Sequence, residues 1–338
     1  MDKVDISAVT LDAIKARANE LREGLVRTPA VPLNSDVISR LLGGGQVYMK
    51  LECFQHTGTF KARGALSVAS AIPADERAAG ITAASAGNHA IAAAWAARRL
   101  GMSAKVVMQS SANPYRVARA RAEQAEVIVK DGGHATIGEA ERLARDEGRT
   151  FIHPFEGINT TLGTAGVGLE FLEDVPNLEA VVVSVGGGGL VSGVATAVKM
   201  INPDCKVYGV EPAGADSMSR SLSAGEPVTL DKIDTIADSL APPMALPFGY
   251  AMCAAHLDDV VTVTDDEICA GMAVHQEEAK LAVEPAAGAA MAGLLLPLRE
   301  RLMGKRVGLV VCGANIDVAT YGVQLKRGAA KYAEISAR

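Results

Sequence analysis

Ala180-Val181-Val182-Val183-Ser184-Val185-Gly186-Gly187-Gly188-Gly189-Leu190 joins an apolar, β-branched run to four consecutive glycines, just ahead of a stretch that reads as a helix. A strand buried on both faces reads as an unbroken apolar run. Glycines at its carboxyl end let the chain turn several N–H groups onto an anion at the start of the next helix. The order strand, loop, helix therefore predicts an α/β fold with its ligand chemistry at the carboxyl edge of a mostly parallel sheet. A glycine run also serves as a plain flexible turn, and it does not name the anion it holds. No Gly-x-Gly-x-x-Gly and no Gly-Lys-[Ser/Thr] occurs, so a nicotinamide-dependent oxidoreductase or a nucleoside-triphosphate enzyme lacks its usual fingerprint.

The same alternation extends in both directions. Further strands are expected at Val47–Lys50, Ile81–Ala84, Lys105–Met108, Val127–Lys130, Lys206–Val210, Val260–Val263 and Val307–Val311. An opening helix is expected on the face shared by Leu11, Ile14, Ala18, Leu21 and Leu25, capped by Thr10. Helices are also expected over Asn88–Leu100, stopped by Gly101, and over Asp265–Lys280, whose acidic first turn complements the helix dipole. The character of the chain shifts near Gly80 and again near His153-Pro154. A small unit of residues 81–155 is thus expected between the two segments, 1–80 and 156–338, of a larger one.

The 338 residues carry 49 % hydrophobic side chains and a net charge of −6. That is enough apolar mass for a large core and too little clustered positive charge for a nucleic-acid partner. The five cysteines are odd in number and never form Cys-x-x-Cys, which points to a reducing compartment. The start has no basic and then apolar leader, and no run of about eighteen apolar residues occurs. The expectation is a cytoplasmic protein with no membrane partner.

Five other loops carry chemistry. Lys61 stands in Thr57-Gly58-Thr59-Phe60-Lys61-Ala62-Arg63-Gly64-Ala65, where a turn opens a helix. A lysine desolvated at such a start becomes an amine nucleophile, whereas one in solvent is an ordinary surface charge. Ser85-Ala86-Gly87-Asn88-His89 follows a strand and opens a helix, offering N–H groups to a carboxylate or merely a serine cap. His89 reads either as a general base or as a hydrogen-bonded packing residue. Cys312, in Val311-Cys312-Gly313-Ala314-Asn315, ends the last strand as a weak hydrogen-bonding group or a buried one. Glu211 and Glu284 each precede a proline and suit a cation or a ring substituent, although most turn carboxylates are solvated.

Taken in order over residues 10 to 325, these loops resemble the fold-type II pyridoxal-phosphate enzymes, specifically the threonine/serine dehydratase and serine racemase family. The resemblance implies a two-domain fold like the tryptophan synthase β chain, each domain an open, mostly parallel sheet flanked by helices. It implies that Lys61 carries pyridoxal 5'-phosphate as an imine, that Phe60 packs by the ring and that Asn88 meets the ring hydroxyl. Gly186, Gly187, Gly188, Gly189 and Leu190 would hold the phosphate, and Cys312 would face the pyridine nitrogen, where the family commonly has serine. Ser85, Ala86, Gly87, Asn88 and His89 would take the substrate carboxylate. The implied reaction is loss of water from a β-hydroxy-L-amino acid of the threonine or serine type, giving a 2-oxo acid and ammonia, in a homodimer or higher homo-oligomer.

Departures from the pattern sharpen the expectation. Ala86 replaces the serine with which serine racemases serve the second face of the α-carbon, so racemisation should be poor. Ser217 stands where a liganding Asp is usual, which thins the magnesium or other divalent site implied at Glu211 and the Ala215 carbonyl. The segment after His153-Pro154-Phe155 is about two residues short, and Ala241–Phe248 is apolar where relatives place hydroxyls. Phenylserine is therefore an alternative substrate, while hydroxyaspartate finds no arginine in these two loops. The chain stops soon after the last strand, so a regulatory domain sensing isoleucine is not expected.

Overall fold

The computed structural model describes residues 4–337. Its strands are β1 (Ala30–Pro32), β2 (Gln46–Lys50), β3 (Ile81–Ala84), β4 (Ala104–Gln109), β5 (Glu126–Lys130), β6 (Thr150–Phe151), β7 (Ala180–Ser184), β8 (Lys206–Pro212), β9 (Asp259–Val263) and β10 (Arg306–Val310). They form two sheets. One has the order β1-β2-β10-β7-β8-β9, and the other the order β5-β4-β3-β6. All pairings are parallel except β1 on β2, where Ala30 faces Lys50 and Pro32 faces Tyr48.

The run Ala180–Ser184 forms β7, buried at every position inside the larger sheet. Val181, Val182, Val183, Val307 and Leu309 are fully buried in its core. A second core gathers Ile81, Ala83, Val106 and Met108 of the smaller sheet with Ile91 and Trp95 of the helix Asn88–Arg99. Ala62, Ala65, Leu66 and Ala69 join it from the helix Lys61–Ser70.

That helix packs on its other side against the helix Ile158–Asp174, and the approach depends on small residues. A Cβ on Gly163 would lie 2.6 Å from the Arg63 carbonyl oxygen, and one on Gly64 would lie 3.3 Å from the Thr160 methyl. The lysine helix is thereby held between the helices Asn88–Arg99 and Ile158–Asp174. Among the described residues, no helix is long and apolar enough to cross a membrane.

Each strand expected from sequence is present to within a residue or two, and the first helix is capped by Thr10, whose hydroxyl accepts from Ala13 N–H. Two strands were not foreseen. β1 is three residues ending in proline, tolerated because it is an edge, and β6 has only two residues. The helix expected over Asp265–Lys280 is α-helical only to Val274. It continues as a π-turn, His275–Ala279, and stops at Lys280 in the left-handed region, φ 58°.

Candidate active site

A cavity of about 510 Å³ opens between the carboxyl ends of the two sheets. Phe60, Lys61, Ser85 through His89, Gly186 through Leu190 and Cys312, drawn from four separate loops, all line it. The fold thus brings together every cofactor and substrate residue predicted from sequence. Glu211 and Ala215 do not line it.

Lys61 begins its helix after a turn in which Thr57 and Gly58 both take positive φ, 68° and 75°. The amine donates to the Pro154 carbonyl at 2.6 Å and lies 5.1 Å from the centre of the Phe60 ring. Burial lowers its pKa to about 8 against the opposing pull of Cys312 and Glu284. A substantial neutral fraction at physiological pH makes this amine a nucleophile and a base.

Two rows of backbone donors face the same cavity. Among the described residues, the N–H groups of Gly186 through Leu190 donate to no protein acceptor, and neither do those of Ala86, Asn88 and His89. Gly87 N–H bonds the Ser85 hydroxyl at 3.1 Å, leaving that hydroxyl's own proton to donate. Gly188 needs φ +89°, and a Cβ on Gly189 would lie 2.7 Å from Phe155 Cα. Backbone cannot yield as a side-chain tip does, so only glycine fits there. Unpaired donors at two helix starts, Asn88–Arg99 and Val191–Ile201, make two anion sites that flank one amine.

The polar floor is a network that sequence reasoning saw only in part. Glu284 is buried and accepts both from Asn88 Nδ2, at 2.8 and 2.9 Å, and from Asn315 N–H at 3.1 Å. Asn315 Nδ2 donates in turn to Asn88 Oδ1 at 2.9 Å. Burial raises the Glu284 carboxyl, partly countered by Arg116. Arg116 lines the cavity from the helix Pro114–Ala122 and donates to Asp238 at 2.5 Å. Neither Arg116 nor Asp238 had a local signal, since neither belongs to a motif at a strand end. The arginine missing from the two substrate loops is supplied from a third element, already paired.

Burial holds the Cys312 thiol well above its usual range, with Glu284 and Cys53 adding to the effect. The thiol is therefore neutral. His89 is a packing residue of the second sheet, since Nε2 bonds the Ile152 carbonyl at 2.8 Å and burial drops its pKa to about 3.

Both glutamates preceding prolines are buried, against the expectation that turn carboxylates are solvated. Glu211 accepts from Met218 N–H at 2.9 Å and Ser219 N–H at 2.8 Å, capping the helix Ser217–Ala224, and burial pushes its carboxyl up to about 8. Among the described residues, no group of three or more His, Cys, Asp or Glu is arranged to hold a metal ion. With Glu211 committed to two backbone donors, a divalent cation at Glu211 and Ala215 is not supported.

Residues 21–313 match the family described as pyridoxal-phosphate dependent enzyme. The chain is 48 % identical to a phenylserine dehydratase from Ralstonia pickettii, over 84 % of this chain and 87 % of that protein. It is 36 % identical to an L-threonine ammonia-lyase from Thermotoga maritima, over 96 % and 80 %. Among solved structures, maize serine racemase superposes with a TM-score of 0.87 at 31 % identity, covering 94 % of this chain and 98 % of that one. An amine between two backbone anion sites is what an aldehyde bearing a phosphate requires, and the residues fit that group. The chain belongs to the pyridoxal-phosphate dependent enzyme family.

Proposed function

We propose that the protein removes water from a 3-hydroxy-L-amino acid, with an aryl group on the β-carbon as its preferred substituent, and releases ammonia and a 2-oxo acid. The observation that carries this reading is the pair of unpaired N–H rows on either side of Lys61, in a cavity that also has an apolar stretch of wall. Pro242, Pro243, Met244 and Leu246 supply that wall, with Phe151 and the half-exposed Ile137 from the smaller sheet's side.

Bound there, pyridoxal phosphate supplies a conjugated ring that draws electrons from the α-carbon of an attached amino acid. The glycine row, Gly186 through Leu190, would take the phosphate, Phe60 would pack by the ring and Asn88 would meet the ring hydroxyl. Ser85 and the N–H groups of Ala86, Asn88 and His89 orient the substrate carboxylate. Lys61 holds the cofactor and then removes the α-proton. Cys312, as a neutral thiol, gives a pyridine nitrogen no negative partner, which favours expulsion of the hydroxyl over routes that need a stronger electron sink. The second carboxylate of hydroxyaspartate would have to displace Asp238 from Arg116. Residues 81–155 act in this proposal as the substrate-side unit against 1–80 and 156–338. A cytoplasmic homodimer rests on the resemblance and the cysteine pattern alone, and light scattering tests the dimer.

The test is a panel of L-threonine, L-serine, 3-phenylserine and 3-hydroxyaspartate, each followed for 2-oxo acid. We expect kcat/KM for 3-phenylserine to exceed that for threonine by roughly tenfold or more, the scale of one to a few apolar contacts. Parity with threonine removes the aryl preference, and no ammonia from any of the four overturns the elimination. Separately, Gly189→Ala should weaken pyridoxal phosphate binding by roughly tenfold or more, because its Cβ meets backbone. Absorbance titration of the apoprotein measures this, and unchanged affinity would remove the glycine row from the phosphate site.

A further inference from the structure

His153 lines the cavity with a ring donor that its own hydrogen bonds leave uncommitted. Its Nδ1 accepts Glu156 N–H at 3.0 Å and Phe155 N–H at 3.3 Å. A ring nitrogen that accepts carries the lone pair, so the proton of the neutral ring sits on Nε2. Among the described residues, no protein acceptor takes that Nε2–H. The ring is held edge-on between Phe151 and Phe155, with centroids 5.9 and 4.7 Å away. Burial and the charge of Lys61 push its pKa down to about 4, so it stays neutral and keeps the Nε2 proton. His89, the other imidazole of the cavity, has Nε2 engaged by Ile152.

We propose that His153 reads the β-hydroxyl of the substrate, its Nε2–H donating to the oxygen that departs as water. The assignment rests on the elimination reading above. Position argues for this oxygen over the carboxylate. The neighbouring Pro154 carbonyl holds the Lys61 amine, that amine must reach the α-carbon, and the β-carbon is one bond further on. The two phenyl rings beside His153 offer an aryl group on the same carbon its apolar surroundings. In the elimination the Cα–H bond breaks with its proton passing to Lys61, and its electron pair forms the Cα=Cβ bond. The Cβ–O pair leaves on oxygen, which takes the proton back from the Lys61 ammonium and departs as water. His153 polarises and aims the C–O bond and keeps its own proton.

Two substitutions separate this role from simple support of the chain. In His153→Asn the amide oxygen replaces Nδ1 as acceptor for the two N–H groups, but no donor reaches the Nε2 position. In His153→Gln the amide nitrogen reaches that position, and the inner acceptor is displaced. With 3-phenylserine, His153→Asn should lose roughly a hundredfold in kcat/KM, as for removal of one donor in a closed site, while His153→Gln keeps most of the rate. Elimination of chloride from β-chloro-L-alanine, which needs no proton on the leaving atom, should change little in either variant. A readout without turnover is calorimetry on the cofactor-loaded Lys61→Ala chain. There phenylserine should bind about tenfold more tightly than phenylalanine, and adding His153→Asn should erase the difference. Equal losses on both substrates, or a Gln variant impaired where the Asn variant is not, would overturn the assignment. Failure of the underlying reading looks different: the wild-type chain would turn over neither substrate, and the assignment would fall with it.

Discussion

Replacing Lys61 with Ala should lower ammonia release from every 3-hydroxy amino acid by at least about 10³-fold, because in the proposed reaction one amine both holds the cofactor and moves the α-proton. The substitution leaves the neighbouring contacts intact. Phe60 N–H still bonds the Cys312 carbonyl, and Arg63 remains anchored. Folding should therefore be retained and only chemistry lost. A peptide map after borohydride treatment of the loaded wild type should place the cofactor at position 61, and the variant should give no such peptide. An unaltered rate in the variant would remove Lys61 from the mechanism. The pH dependence is also set, since the lysine pKa is lowered to about 8 by burial. Below that value the amine is mostly charged and unreactive. Capture of pyridoxal phosphate by the apoprotein should accelerate as pH rises toward about 8 and level off above it.

The largest effect on stability is expected two residues further along the same helix. Arg63 is 1 % exposed and bridges two carboxylates in bidentate fashion. Nε and one terminal nitrogen donate to Glu52 at 2.8 and 2.9 Å, while both terminal nitrogens donate to Glu170 at 2.8 Å. Lys50, fully buried, donates to Glu170 and to the Thr28 carbonyl, each at 2.7 Å. Two cations thus balance two anions. Arg63→Met would leave Glu52 in the interior with only the Thr28 hydroxyl, and removing one partner of a buried pair costs about 3–5 kcal/mol. Arg63→Lys keeps the charge but not the fork and should fall between.

Denaturant unfolding measures both variants, and a loss below about 1 kcal/mol would mean that the network contributes no more than a surface pair. The sign with pH follows from Glu170. Burial would raise its carboxyl, but Arg63 and Lys50 outweigh that and lower it from 4.5. A folded value below the unfolded one stabilises fully above the unfolded pKa and is lost as pH falls through the folded one. The gap between wild type and Arg63→Met should accordingly narrow in acid below that range. The network has a functional reach as well, because it clamps the helix that aims Lys61 to β2 and to the helix Ile158–Asp174.

Much of this architecture could be read along the chain because its signals are local. β7 and the glycine row occupy eleven consecutive positions, and a buried strand that turns into a helix start needs that composition whatever surrounds it. The loops at Lys61 and Ser85 are likewise contiguous, so their residue types and order identified the family and the cavity wall. Short edge pieces such as β1 and β6 escaped, since two or three residues carry no period. The break at His275–Ala279 escaped because an apolar face continues through a π-turn much as through an α-helix.

What the sequence alone determined, then, was the alternation of strands and helices, the anion loops at their ends and the lysine among them, each dictated by backbone geometry within a few residues. Only the tertiary structure decided which distant groups meet. Arg116 and Asp238 are 122 positions apart, and Asn88 and Glu284 are 196 apart. The tautomer of His153, the pairing of Arg116 and the burial of Glu284 follow from how distant loops meet at the cavity. Those facts depend on desolvation and on partners brought from other elements, and no local pattern encodes them.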